Sequence, residues 1–182
     1  MEFRKEIPLM LVALSLLVGC GDRPFIKPEA NDESMIIGYI DMADAPGSFN
    51  GVHVKRIQPV SKTPYYNFWI DGGMFYRSPV APGVYKMDSF SSYSRWSNTN
   101  YTLNFPKSGR SEMDLKITKP GVYYVGSWKY AKVKTGFFEH GKFDLIRIEK
   151  PTELDLLKQV LPKAKDPYWV NMINKRIKEL QK

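Results

Sequence analysis

Apolar and polar positions alternate in short runs through most of this chain, then settle into helical spacing near its end. Met35-Ile36-Ile37-Gly38-Tyr39-Ile40 is a β-branched run followed by loop residues from Asp41 to Gly51. Val52-His53-Val54-Lys55 alternates and predicts the next strand, with His53 facing away from the valines. Tyr66-Asn67-Phe68-Trp69-Ile70 leads through Asp71-Gly72-Gly73 into Met74-Phe75-Tyr76-Arg77. Asp-Gly supplies the positive φ angles of tight hairpin turns, so this stretch predicts a hairpin. Ala81-Pro82-Gly83-Val84-Tyr85 opens a strand that runs to Phe90, and Lys119-Pro120-Gly121-Val122-Tyr123 repeats the same turn chemistry before Tyr124 to Trp128. Tyr101, Leu103 and Phe105, then Met113, Leu115 and Ile117, alternate with polar residues on either side of the Pro106 to Gly109 turn, and Phe143 to Glu149 closes the strand region. Ser91 to Asn100, rich in Ser and Asn and holding Trp96, is expected as a long polar loop.

Two helices are predicted at the end. Thr152 with Asp155 resembles a capping box, and Leu154, Leu157 and Leu161 share a face before Pro162 stops the helix. Asp166-Pro167 is an N-cap followed by a first-turn proline. After it, Trp169, Ile173, Ile177 and Leu180 form an apolar stripe opposite Lys175, Lys178 and Lys182. The expected fold is therefore mainly β: an antiparallel β-sandwich of seven or eight strands over residues 35–150, with two C-terminal helices over 151–182 packed on it.

The start of the chain follows a different logic. Arg4 and Lys5 precede an apolar run from Ile7 to Val18, which ends in Leu17-Val18-Gly19-Cys20. That is the layout of a secretory signal with cysteine where a small-residue cleavage site normally sits. The four residues resemble the lipobox of bacterial lipoproteins. The resemblance implies a signal peptide over 1–19, cleavage between Gly19 and Cys20, and lipid on the Cys20 thiol. The apolar run is too short to span a bilayer, which takes about 20 residues. Residues 20–34 hold prolines and acids without apolar periodicity and are expected as a tether. In lipoproteins of enteric bacteria, an aspartate directly after the cysteine favours the inner membrane. Here Gly21 takes that place and Asp22 follows, which points to the outer membrane, facing the periplasm.

Composition narrows the function classes. Removal of the signal leaves about 160 residues, the size of one domain with a sizeable core. Cys20 is the single cysteine, so no internal disulfide is available to the chain. The net charge of +8 survives cleavage, because Arg4 and Lys5 are balanced by Glu2 and Glu6. A basic, membrane-anchored domain favours anionic surfaces, and the compartment sets nucleic acid aside. The basic stretches are Lys129, Lys132 and Lys134 around Tyr130, and Lys175, Arg176, Lys178 and Lys182 in the last helix.

Little in the chain carries chemistry. Two histidines, His53 and His140, cannot assemble a metal site with Cys20 committed to lipid, so no metal and no cofactor is expected. No G-x-S-x-G elbow occurs, and Asp41, Asp44, Asp71 and Asp88 stand at or near turns, where aspartate is favoured for backbone reasons. No catalytic residue is assigned, and the expected role is non-enzymatic. The candidate contact residues are aromatic: Trp96, with Tyr93 and Tyr101 beside it, and secondarily Tyr65, Tyr66 and Trp69. Strand alternation argues for core packing of most of these, and Trp96 has the weakest core argument.

Asp71-Gly72-Gly73-Met74-Phe75 followed by Val80-Ala81-Pro82-Gly83-Val84-Tyr85 resembles the turn-and-strand pattern of prealbumin-like and carboxypeptidase-regulatory-like sandwiches. Lys119-Pro120-Gly121-Val122-Tyr123-Tyr124 is similar to the sheet of small bacterial lipoproteins that share that architecture. The resemblance spans Met35 to Glu149 and implies a binding or assembly module of the cell envelope. Its expected partners are the membrane through Cys20, and an envelope protein or anionic surface. The alternative is a carbohydrate or peptidoglycan ligand held by the exposed aromatics.

Overall fold

A computed structural model describes residues 25–60, 62, 65–105, 114–133 and 142–182. Gly19, Cys20, Asp22, Pro106 to Gly109, Met113, Lys134 and His140 lie outside these residues. The described chain is mainly β, with ten strands in two sheets and two α-helices.

The first sheet has the order β10-β9-β1-β5-β4. Its strands are β1 (Ser34–Asp41), β4 (Trp69–Asp71), β5 (Met74–Val80), β9 (Val122–Val133) and β10 (Lys142–Ile148). The second sheet has the order β3-β2-β6-β7, with β8 also paired to β6. It is formed by β2 (Ser48–Gln58), β3 (Tyr65–Asn67), β6 (Gly83–Ser94), β7 (Thr99–Asn104) and β8 (Leu115–Ile117). Pairing is antiparallel except between β1 and β9, which run parallel, so the expectation of a wholly antiparallel arrangement is corrected there.

Ten strands replace the seven or eight expected, partly because the run Tyr66 to Ile70 divides. Tyr65–Asn67 joins β2 in the second sheet, whereas Trp69–Asp71 pairs with β5 in the first. Phe68 marks the crossing, buried with its ring 5.8 Å from Phe75. The predicted hairpin is present from Trp69 onwards, turning at Gly72, whose φ is +61°.

The two sheets share one apolar core. Ile36, Ile40, Phe75, Val125, Trp128 and Tyr130 come from the first sheet, and Val52, Val54, Tyr85, Met87, Phe90 and Ile117 from the second. In β9 the in-out alternation changes phase at Gly126, where φ is +96° and the pairing with β1 slips between Ile37 and Tyr39. Glycine takes this backbone angle without the Cβ penalty, and the resulting bulge turns Trp128 and Tyr130 into the shared core.

The opposite face of the first sheet is apolar too. Met35, Ile37, Met74 and Tyr76 meet Leu156, Leu157, Val160, Trp169 and Ile173 in a second core. This explains the unbroken apolar run of β1, which is buried on both faces. The covering elements are α1 (Glu153–Val160), a 3-10 turn over Leu161–Lys163, and α2 (Pro167–Leu180). Both expected caps are formed. Thr152 and Asp155 make a reciprocal capping box, and the Asp166 side chain accepts from the Tyr168 N–H. In α1 the fully buried residues are Leu156, Leu157 and Val160, while Leu154 and Leu161 are only half-buried. The apolar face is thus rotated from the one expected, because Leu161 leaves the α-helix for the 3-10 turn that holds Pro162.

The expected tether is partly built into this layer. Phe25 is buried, stacked 5.6 Å from Tyr76 and 6.4 Å from Trp169, whose indole N–H donates to the Ile26 carbonyl at 2.7 Å. The Tyr168 hydroxyl donates to the Glu33 carbonyl at 2.7 Å, and Ser34 already belongs to β1. The packed unit therefore includes residues from Phe25 onwards.

Candidate functional site

The β6–β7 hairpin carries the aromatic residues singled out by sequence. Ser91–Asn100 is not one long loop: Ser91 to Ser94 completes β6, and β7 begins at Thr99. The serines continue the ladder because each pairs across to β7, with Ser91 opposite Thr102 and Ser92 opposite Tyr101. Only Arg95 to Asn98 forms the turn. Asn98 sits at φ 50°, a conformation asparagine tolerates better than most residues, which accounts for its place in a tight turn.

This turn is braced on both sides. The Tyr93 hydroxyl donates to Asn98 Oδ1 at 2.7 Å, Thr99 Oγ1 donates to the Ser97 carbonyl at 2.9 Å, and the Ser97 N–H reaches Ser94 Oγ at 3.4 Å. Trp96 projects from the braced tip with its side chain fully in solvent, at 101% relative exposure. An indole held open on an ordered turn presents a large stacking surface without first having to order the loop.

The other two candidates do not share that role. Tyr93 lies on the outer face of the second sheet, half-buried, with its hydroxyl engaged by Asn98. Tyr101 stands opposite Ser92, which is fully buried, and so points to the inner side of the sheet. The hairpin therefore sets Tyr93 on the outer face, close in sequence to the turn that holds Trp96, whose indole stands free in solvent. It sends Tyr101 to the inner side, since residues one place apart in alternation face opposite ways. Of the secondary aromatics, Tyr65 is 53% exposed, while Tyr66 and Trp69 are half-buried and pack against the two cores.

The outer surface of the second sheet adds a feature that the alternation of single strands hides. Cross-strand pairing aligns Ser48 with Tyr93 and Asn100, Ser91 with Thr102, and His53 with Ser89 and Asn104 on one side of the sheet. Asn50 reaches across with its amide nitrogen 3.2 Å from Asn100 Oδ1. Hydroxyl and amide groups and the His53 imidazole line this area, and none of the described helices lies on it. The signal that could have found it is the run of Ser and Asn in β6 and β7, residues that strands usually avoid.

Elsewhere, several cations are paired. Lys129 pairs with Asp44 at 3.0 Å, and this bond raises the lysine pKa above its ordinary value. Arg176 grips both oxygens of Glu153 at 2.7 and 2.9 Å and meets Glu179 at 3.3 Å, which raises the guanidinium pKa further. Lys163 pairs with Asp71. Lys132, Lys175, Lys178 and Lys182 are exposed. Arg56 and Arg77 lie over the rings of Tyr85 and Tyr66 at 5.8 and 6.0 Å, at one end of the shared core. Burial pushes the Tyr85 phenol far above its ordinary pKa, and its hydroxyl donates to the Ala81 carbonyl at 2.5 Å.

One open groove of about 410 Å³ runs between α2 and the turn before β9, lined by Asn31, Pro120, Val122, Tyr168, Met172, Lys175 and Arg176 among others. Its charged members include Arg176, already committed to Glu153. Among the described residues no three His, Cys, Asp or Glu side chains group as metal ligands would, and no helix is long and apolar enough to cross a membrane. Comparison of the chain with protein-family models, with curated proteins and with solved structures finds no match.

Proposed function

We propose that this protein is a lipid-anchored component of the bacterial cell envelope that acts as a non-enzymatic binding or assembly module. Cys20 is the anchor, released from a signal peptide that ends at Gly19, and the outer membrane facing the periplasm is the favoured location. The two sheets with their shared core, closed on one side by the helices, support the reading of this domain as a β-sandwich, which we propose is of the prealbumin-like kind. The observation that carries the binding role is Trp96, which sits fully exposed on a braced turn and contributes nothing to either core.

A second reading, recognition of carbohydrate by exposed aromatics, is favoured by the full exposure of Trp96 on a turn that ends a pair of strands rich in hydroxyl and amide groups, with Tyr93 on the outer face nearby in sequence. Tyr101 leaves that set because it faces inwards.

Metabolic labelling with a radiolabelled fatty acid, followed by membrane fractionation, tests the anchor. Label on the wild type and none on Cys20→Ala is the expected result, and equal labelling of both removes it. Crosslinking in intact cells then tests the role. A discrete product that is lost in both Cys20→Ala and Trp96→Ala supports anchored binding, whereas an unchanged product in Trp96→Ala moves the contact away from the tip.

A further inference from the structure

We infer that the outer face of the second sheet, continuous with Trp96, is a binding platform for an uncharged glycan chain. The inference rests on the carbohydrate reading above and extends it from single aromatics to a surface. Three observations carry it.

The first is chemistry. The ladder puts Ser91 beside Thr102, and Asn100 beside Tyr93, so adjacent strands offer hydroxyls and amides in register. Strands lie about 4.8 Å apart, so such a grid offers several donors and acceptors within the footprint of one sugar unit.

The second is the distribution of charge. The chain has 27 Lys and Arg residues and a net charge of +8, yet the rows formed by Ser48, Tyr93 and Asn100 and by Ser91 and Thr102 contain no formal charge. Charge stands around these rows, at Arg95 in the turn, at Asp88 beside Ser89 in β6, and further along the sheet where Lys55 pairs with Lys86. A face kept only for solubility in so basic a chain would be expected to carry some of these cations. An anionic surface would find little to hold on these rows, whereas a neutral polyol would lose no ion hydration there.

The third is flatness. Apart from Tyr93, side chains on these rows are short, and Gly51 keeps the surface low: a Cβ there would meet Ser91 Oγ at 2.6 Å. Serine is not among the strongly strand-favouring residues, and asparagine is depleted from strands. Their concentration in β6 and β7 is a local departure from strand preference, of the sort found where function sets the residue. The turn that ends these strands carries Trp96, whose exposed ring offers a face on which a sugar can stack.

The test is titration of the full chain, in detergent, with chitotetraose and separately with maltotetraose, read by tryptophan fluorescence and by amide chemical shifts. Saturable binding of one of them, with shifts confined to β2, β6, β7 and the tip, is expected. Thr102→Lys and Asn104→Lys place charge on the exposed face without touching a core, and each should weaken binding at least about tenfold at unchanged melting temperature. Ile146→Lys, on the exposed side of β10, should leave it unchanged. Binding lost in Trp96→Ala but retained in both lysine variants keeps the carbohydrate reading and overturns the platform. No saturable binding of either oligosaccharide overturns the choice of ligand, while the crosslinking experiment still decides the anchored module. A concentration-dependent dimer that Thr102→Lys disrupts would assign the face to a second copy of the chain instead.

Discussion

The outer face of the first sheet and the outer face of the second are made from the same kind of strand but finished differently. On the first, Met35, Ile37, Met74 and Tyr76 are sealed under Leu156, Leu157, Val160, Trp169 and Ile173, with Phe25 completing the layer. On the second, Ser91, Tyr93, Asn100 and Thr102 stand in register with no described helix above them. An antiparallel sheet tolerates water on one face, and a strand paired in parallel, such as β1 with β9, is usually covered on both. The chain spends its helices where the sheet is apolar. The uncovered side is then free to meet a partner, and its polar groups need no further element to satisfy them.

This contrast can be broken most severely at the covered face. A chain ending at Lys150 lacks α1 and α2 and leaves Met35, Ile37, Met74 and Tyr76 bare, so it should show no cooperative unfolding transition by circular dichroism. A sharp transition in that truncated chain would mean that the two sheets stand without their cover. Trp169→Ala is the next largest change. Its side chain is fully buried and holds both Phe25 and the Ile26 carbonyl, so denaturant unfolding should report a loss of about 3–5 kcal/mol. Arg176→Ala breaks a bidentate pair between α2 and the start of α1. Arg176 is 36% exposed, so solvent screening limits the expected loss to about 1 kcal/mol or less in the same measurement.

A pH series sharpens the helix side further. Asp155 accepts from the Thr152 N–H and hydroxyl, and these bonds hold its carboxyl below the ordinary value of 3.8. A depressed folded pKa stabilises the fold above the unfolded value and loses that contribution as pH falls through the folded one. The melting temperature of the wild type should therefore exceed that of Asp155→Asn near neutrality, and the gap should close as the pH drops below 3.8. A gap that widens in acid would contradict the assignment. The smallest effect belongs to the open face. Trp96→Ala should stay within about 0.5 kcal/mol of wild type in denaturant, because the indole touches neither core.

Much of the covered side was legible in the sequence. Helical spacing of Trp169 and Ile173, the Thr152 and Asp166 caps and the Asp71-Gly72 turn are local signals, and each stands where it was expected. Two features escaped, the first because it depends on distant pairing and the second because it is a local change of helix type. The switch at Phe68 between sheets is invisible in a run whose five residues all suit a strand. The exit of Leu161 into a 3-10 turn likewise rotated the face of α1. At the candidate site, the weak core argument for Trp96 was enough to identify it as exposed. Polarity of Ser91 to Ser94 suggested a loop, however, since strand preference alone cannot reveal that β2 and β7 flank these serines and hold them in a ladder. For the same reason Tyr93 and Tyr101 were grouped, although register places them on opposite sides.

The most direct test of the account is site-specific photo-crosslinking in intact cells. The probe is placed at Thr102 on the open sheet face and, in a second strain, at Lys158 on the exposed side of α1. The account predicts a crosslinked species from position 102 and none from 158. Capture from position 158 alone would make the helical layer the contact surface, and the open sheet merely solvated.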